Sequence, residues 1–123
     1  MIKSVIYVGL GGAIGSILRY LTYLLTAKFY SNAFPLATLI INILGCFIIG
    51  LLIGVFEHSI QPNQHLRLLL LTGFCGGYTT FSAFTSENMM LLQTNNYLSA
   101  LLYIAASIVV SLFAIWLGLS LTK

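Results

Sequence analysis

The sequence predicts an all-α integral membrane protein with four transmembrane helices. Of its 123 residues, 59% are hydrophobic and only 6% are charged, whereas a water-soluble domain carries about 25% charged residues. A transmembrane helix needs about 20 apolar residues, and four such stretches fill the chain, at residues 4–26, 36–56, 66–92 and 98–121. We therefore expect a single four-helix transmembrane domain over residues 1–123, multi-pass in the bacterial inner membrane.

Charge and cysteine usage exclude several classes of protein. The five basic residues are scattered, so no cluster can follow a nucleic acid backbone. Cys46 and Cys75 both fall inside predicted helices, which favours small buried side chains over a disulfide framework or a zinc site. No nucleophile, base and orienting group can be assembled from this composition, so we expect no enzyme activity.

Helix 1 contains a glycine-rich run, residues 9–15, which lacks the spacing of a dinucleotide loop because Ile14 stands where that motif needs glycine. Gly11 and Gly15 instead form a G-x-x-x-G pair, which is typical of close helix contact. Arg19 follows near the end of the helix. It either extends to the membrane surface or lines an aqueous vestibule, where it would concentrate anions.

Helix 2 places small or polar residues at four-residue spacing on an otherwise aliphatic surface. This stripe consists of Thr38, Asn42, Cys46, Gly50 and Gly54. The Asn42 amide must be paired or wet in hydrocarbon. It either joins two helices or presents an N–H group to a permeating anion.

Helix 3 is expected to break in mid-membrane near residues 73–79, where three glycines occur within five residues. Irregular backbone at membrane depth persists only where protein, water or an ion satisfies it, so a break indicates a functional site. The alternative is a packing kink. Phe81 and Phe84, spaced i and i+3, share one helical face beyond the break. Glu87 follows, either near the interface, or neutralising Arg19, or as a proton carrier.

Helix 4 carries three hydroxyl groups in one ladder, Tyr103, Ser107 and Ser111, at i, i+4 and i+8. Such a track is longer than one packing contact requires. The alternative is that the serines bond back to their own i−4 carbonyls.

Three segments together resemble the CrcB family of bacterial fluoride channels, also called Fluc. They are Gly-Gly-Ala-Ile-Gly-Ser-Ile-Leu-Arg-Tyr in helix 1, Thr-Leu-Ile-Ile-Asn in helix 2, and Gly-Phe-Cys-Gly-Gly-Tyr-Thr-Thr-Phe-Ser in helix 3. The resemblance covers all four helices in order. One departure is Ala37, where the family usually has glycine.

The resemblance implies a passive fluoride channel that exports cytoplasmic fluoride and assembles as an antiparallel homodimer of dual topology with two pores. It implies that Phe81 and Phe84 face the permeating fluoride and that Arg19 is the vestibule cation. The remaining fluoride-pathway residues that it implies are Thr38, Asn42, Tyr103, Ser107 and Ser111.

The resemblance also implies a structural sodium ion, bound where two subunits meet by the backbone carbonyls of Gly76 and Thr79. Backbone hydrogen bonding points the same way, because carbonyl groups at a break lose their helical N–H partners in a place where water is scarce. Carbonyl oxygens suit alkali cations, and divalent ions usually recruit carboxylates. The alternative is that ordered waters or crossing hydrogen bonds satisfy these carbonyls.

Two rival functions remain at the level of sequence. A small proton-coupled multidrug exporter of dual topology would need an acid in its binding chamber, and Glu87 is the sole candidate. A membrane assembly subunit without transport activity would leave the break unexplained.

Overall fold

A computed structural model describes residues 1–61 and 63–122 and confirms an all-α chain with four apolar spans. The first two are α1 (Ile2–Phe29) and α2 (Leu36–Glu57). The third span, Gln64–Gln93, begins with α3 (Gln64–Arg67), which is followed by a π-helical segment, Leu68–Cys75. It ends with α4 (Gly76–Tyr78) and α5 (Phe81–Gln93), and α6 (Tyr97–Leu121) is the fourth span.

Helix α1 packs closely on the π-helical segment through glycines. A Cβ atom on Gly11 would overlap the Leu69 carbonyl, and one on Gly15 would overlap the Phe74 carbonyl. From the other side, a Cβ on Gly73 would lie 2.7 Å from the Val8 carbonyl oxygen. The predicted packing role of the G-x-x-x-G pair is confirmed, since only glycine lets the two backbones approach this closely.

Helices α2 and α6 cross in the same manner. A Cβ on Gly50 would overlap the Ile115 carbonyl, and one on Gly118 would lie 2.5 Å from the Phe47 carbonyl oxygen. This close crossing brings the polar stripe of α2 opposite the hydroxyl ladder of α6.

The third span is interrupted at Thr79 and Thr80, which have extended backbone (φ −80°, ψ 157° and φ −149°, ψ 121°). The interruption lies at the end of the predicted range rather than at its glycines. Gly73 and Gly76 lie in helical segments, and Gly73 serves the contact with α1. The Thr80 hydroxyl accepts a hydrogen bond from the Ala83 N–H at 3.1 Å and so caps α5.

Few side chains are fully buried, as expected where lipid covers the outside. Tyr103, Ile41, Thr38 and Cys75 are the largest of them. Leu91 and Ala100 join Tyr103 in a small core near the turn between α5 and α6. Thr38 of α2 and Tyr103 of α6, two of the residues predicted for a fluoride pathway, are thus inside the helix bundle.

Candidate functional site

Asn42 holds the interrupted backbone from the neighbouring helix. Its Nδ2 donates to the Thr80 carbonyl oxygen at 3.0 Å, and its Oδ1 accepts from the Thr80 N–H at 2.9 Å. This pairing replaces the helical bonds that Thr80 loses in its extended conformation. An amide nitrogen carries two hydrogens, so one Asn42 N–H remains for another acceptor.

These two hydrogen bonds between Asn42 and Thr80, which we call the clamp, leave the Gly76 carbonyl without the N–H that a continuous helix would give it. The Thr80 N–H would bond to the Gly76 carbonyl in a continuous helix, but it bonds to Asn42 instead. The Thr79 N–H and Thr79 hydroxyl both return to the Cys75 carbonyl, at 3.0 and 2.8 Å. Space around Gly76 is open, because a Cβ placed there meets no atom within 4 Å. Neutral backbone oxygens are ligands that suit alkali cations, so the carbonyls of Gly76 and Thr79 fit the predicted cation by their type.

A cavity of about 290 Å³ lies beside the interruption, and we call it the central cavity. Five of the residues predicted for a fluoride pathway line it. These are Asn42, Phe81, Phe84, Ser107 and Ser111. Its other lining residues among the described part of the chain are Cys46, Ile49, Thr79, Thr80 and Ile108, so its wall is apolar, aromatic or neutral polar.

The two phenylalanine rings form part of one aromatic row. The ring centroids of Phe81 and Phe84 are 5.8 Å apart at 37°, and Phe84 continues to Tyr103 at 5.0 Å and 58°. Phe84 is half-buried, whereas Phe81 is 76% exposed on the single chain. The rings are tilted rather than stacked, which directs ring edges as well as faces towards their neighbours.

Ser107 has an unpaired hydroxyl in the wall of the central cavity. It is only 8% exposed, and its Oγ has no hydrogen-bond partner within residues 1–61 and 63–122. The alternative in which this serine bonds to its own i−4 carbonyl does not hold here, although Thr22 bonds back to Leu18 in that way. Ser107 therefore contributes a buried and unpaired hydroxyl to the lining of the central cavity.

Thr38 and Tyr103 form a second polar group beside the central cavity. Both are fully buried. Thr38 shares a hydrogen bond of 2.7 Å with the Tyr23 hydroxyl, and Tyr103 donates to the Glu87 Oε1 at 3.3 Å. Neither residue lines the central cavity, but the Tyr103 ring contacts Phe84, which does. Glu87 thus orients the end of the predicted hydroxyl ladder.

Arg19 lines a different and larger cavity of about 550 Å³, the outer cavity. Tyr20, Ser82 and Ser86 contribute to the same wall. Thr80 lines both the outer and the central cavity, so the interruption of the third span is their common wall.

Sequence reasoning missed three features of this site. Thr80 was not identified, because its position between two cavities depends on where the helix stops. The bond from Tyr103 to Glu87 joins two helices and has no signal in either one. Cys46 was interpreted as a buried apolar residue, although its four-residue spacing from Asn42 was the available signal for a place on the same wall.

Comparison with known proteins gives a consistent result. The family model described as CrcB-like protein, Camphor Resistance (CrcB), matches residues 6–119. A protein of Flavobacterium psychrophilum named fluoride-specific ion channel FluC is 49% identical over 121 residues, covering 98% of each chain. Proteins of the same name from Azobacteroides pseudotrichonymphae and Nitratidesulfovibrio vulgaris are 42% and 41% identical, covering 100% and 95% of this chain and 98% and 94% of their own lengths.

Proposed function

The chain belongs to the CrcB-like protein family, and from this membership we propose that it is a passive, fluoride-selective ion channel of the cell membrane. The observation that carries the proposal is the central cavity, where Phe81 and Phe84 share one wall with neutral donors. The relatives favour this function over a multidrug exporter, since they are named as fluoride channels.

The wall of the central cavity suits a small and strongly hydrated anion. A phenyl ring has a positive edge, and hydroxyl and amide groups donate hydrogen bonds without fixed charge. Such groups replace part of the hydration shell but bind less tightly than an arginine would. Several shallow sites in a row favour throughput, because an ion must leave each site as readily as it enters.

We assign the route through the chain as follows. Arg19 raises the local concentration of fluoride in the outer cavity, and the ion passes Thr80 into the central cavity. There the free Asn42 N–H and the edges of Phe81 and Phe84 meet it. The hydroxyls of Ser111 and Ser107 then carry it along α6 towards Tyr103 and Thr38, at the other end of the track.

Flux through this route follows the electrochemical gradient of fluoride alone. Neutral donors line the central cavity, and Glu87, the acid beside it, already accepts a bond from Tyr103. In the cell the channel removes fluoride that entered as neutral HF and ionised in the less acidic cytoplasm. Fluoride toxicity is lowered without an energy source.

The functional unit is proposed to be an antiparallel homodimer with two pores, with the third span interrupted in mid-membrane. Support comes from the exposure of Phe81, 76% on one chain, because an ion held by ring edges needs a wall that excludes lipid. A second copy of this chain would supply that wall. The open space around Gly76 also suits a neighbour at the two-fold axis.

A sodium ion on that axis is proposed to hold the two interrupted spans in register. The carbonyls of Gly76 and Thr79 from each subunit would form its four-oxygen site. The ion is structural and is not transported. Replacing sodium by N-methyl-D-glucamine should therefore loosen the purified dimer, and sodium should restore it. Unchanged dimer stability and full fluoride flux after complete exchange would contradict this assignment.

Fluoride efflux from liposomes tests the function itself. Purified protein is reconstituted into vesicles loaded with potassium fluoride, and efflux is started with valinomycin and followed with a fluoride electrode. We expect rapid efflux that needs the potassium pathway and no proton gradient, with little chloride flux in matched vesicles. Efflux that stops when a proton carrier collapses the pH gradient would favour the proton-coupled exporter.

A further inference from the structure

Cys46 lies in the wall of the central cavity, although its residue type suggests a small buried hydrophobe. It follows Asn42 by one helical turn on α2, so the two side chains share a face. Ser111 lies on α6, the helix that crosses α2 closely. Cys46 and Ser111 both line the same cavity of about 290 Å³.

A second observation at this place points to a ligand. Ser107 lines the same cavity and is 8% exposed, and its buried hydroxyl is unpaired within the described residues. A buried hydroxyl without a partner is costly unless an ion or water occupies the space before it. Ser107 and Ser111 are one turn apart on α6, and Cys46 lines the same cavity from α2.

We propose that Cys46 is a fluoride-pathway residue, whose S–H group completes a polar wall between Asn42 and Ser111. This inference rests on the proposed function and deepens it. A thiol is a weak hydrogen-bond donor, so it contributes a shallow site that releases the anion readily. The thiol is also the one chemically reactive group in the wall, which makes the position open to small thiol reagents.

Cys75 provides a matched control inside the same protein. It is also a cysteine of a membrane-spanning segment, but it is 1% exposed and lies outside the lining of the central cavity. Its side chain has no place in the proposed pathway. Cys75→Ala should therefore retain wild-type fluoride flux.

Substitution gives the first test, in the liposome efflux assay. Cys46→Ala removes the donor with little change of volume, and we expect fluoride flux to fall about fivefold, the effect of one lost hydrogen bond. Cys46→Ser returns a donor of similar size, and flux should recover to a rate comparable with that of the wild type. Equal flux in wild type, Cys46→Ala and Cys46→Ser would overturn the proposal.

Covalent modification gives the second test, and a merely structural role for Cys46 would not predict its result. Methyl methanethiosulfonate is small and neutral. The Cys46 thiolate attacks its thiomethyl sulfur, methanesulfinate leaves with the bonding electrons, and the thiol proton goes to water. The added S-methyl group occupies the cavity, so most of the flux should be lost in wild type and in Cys75→Ala, while Cys46→Ala should keep its remaining flux.

Intact mass and peptide mapping keep this test independent of the proposed function. We expect one adduct, on Cys46, in the folded dimer. Failure to label Cys46 under conditions that label the unfolded chain would overturn the proposal, as would full labelling with unchanged flux. If wild-type vesicles release no fluoride at all, the proposed function fails, whatever the labelling of Cys46.

Discussion

Asn42 has two tasks that one side chain can combine. Its amide oxygen and one amide hydrogen hold Thr80 at the interruption, by bonds of 2.9 and 3.0 Å. Its second hydrogen is available to the central cavity, which the residue also lines. The sequence allowed two interpretations of Asn42, as a link between helices and as a donor to an anion. These two roles are therefore compatible.

Replacing Asn42 by alanine should destabilise the interruption. The Thr80 N–H and carbonyl would each lose a partner in a place with little water, at a cost of about 1 to 3 kcal/mol each. We expect a lower thermal unfolding temperature in detergent together with reduced fluoride flux. Asn32→Ala, in the exposed loop between α1 and α2, is the control and should change neither. A normal unfolding temperature for Asn42→Ala would show that the clamp has little effect on stability.

The ring electrostatics of Phe81 and Phe84 can be separated from their bulk. Isoleucine at either position keeps an apolar side chain but removes the quadrupole, which is worth about 1 kcal/mol and so about fivefold in fluoride flux. The control is Phe113→Ile, since Phe113 is 56% exposed on α6 and packs with Trp116 instead of the cavity. Flux in liposomes and dimer content by size-exclusion chromatography are measured together. Undiminished flux in both pathway variants would refute the aromatic-edge mechanism.

Residue spacing within one helix predicted half of the residues that line the central cavity, and contacts between helices were the part it missed. Phe81 and Phe84 at i and i+3, and Ser107 and Ser111 at i and i+4, lie on shared faces because helical geometry requires it. The pairing of Tyr103 with Glu87 depends on how α6 meets α5. A single sequence contains no direct signal for such a pairing.

At the scale of elements, the third span shows what composition can and cannot predict. Its glycine content indicated irregular backbone, yet the glycines near residue 73 are helical and the extended residues are Thr79 and Thr80. The π-helical winding of Leu68–Cys75 was not expected at all. Wider turns of this kind often occur at functional sites, and here they precede the interruption. The glycines serve the close contact with α1 instead of breaking the helix.

The contact between α1 and the π-helical segment can be tested with two glycines of one helix. In Gly11→Ala the added Cβ overlaps the Leu69 carbonyl and lies 2.8 Å from the Phe74 nitrogen. Overpacking of this kind costs about 1 to 3 kcal/mol, so the thermal unfolding temperature should fall. Gly9→Ala is the matched control, because no atom lies within 4 Å of its Cβ. Equal stability of the two variants would mean that α1 moves away from the third span without cost.

At the scale of the whole molecule, charge distribution decides how the chain enters the membrane. With four spans threaded alternately, Lys3 and Arg67 lie on one side with Glu57, and Lys28 and Arg19 lie towards the other. Lys123, which the sequence assigns to the first side, lies outside the described residues. Lysine and arginine decide orientation, and their count of three against two is a bias of about one positive charge, which is too small to enforce one orientation. An antiparallel two-fold dimer needs both orientations of the same chain, so weak bias and the proposed assembly support each other.

Adding charge to one loop should therefore remove function without touching the pathway. A cysteine added at the C-terminus and labelled with a membrane-impermeant maleimide in intact cells should report both orientations for the wild-type sequence. Ser59→Lys with Gln61→Lys places two positive charges in the exposed loop after α2. That side already has the excess, so the bias rises to about three positive charges and should select one orientation. Antiparallel pairs then cannot form, and fluoride efflux from cells should fall to the level of cells without the protein. Ser59→Asn with Gln61→Asn changes the same residues without charge and should keep both orientations and full efflux. A single orientation of the wild-type sequence, or full efflux from the lysine variant despite one orientation, would rule out an antiparallel functional dimer.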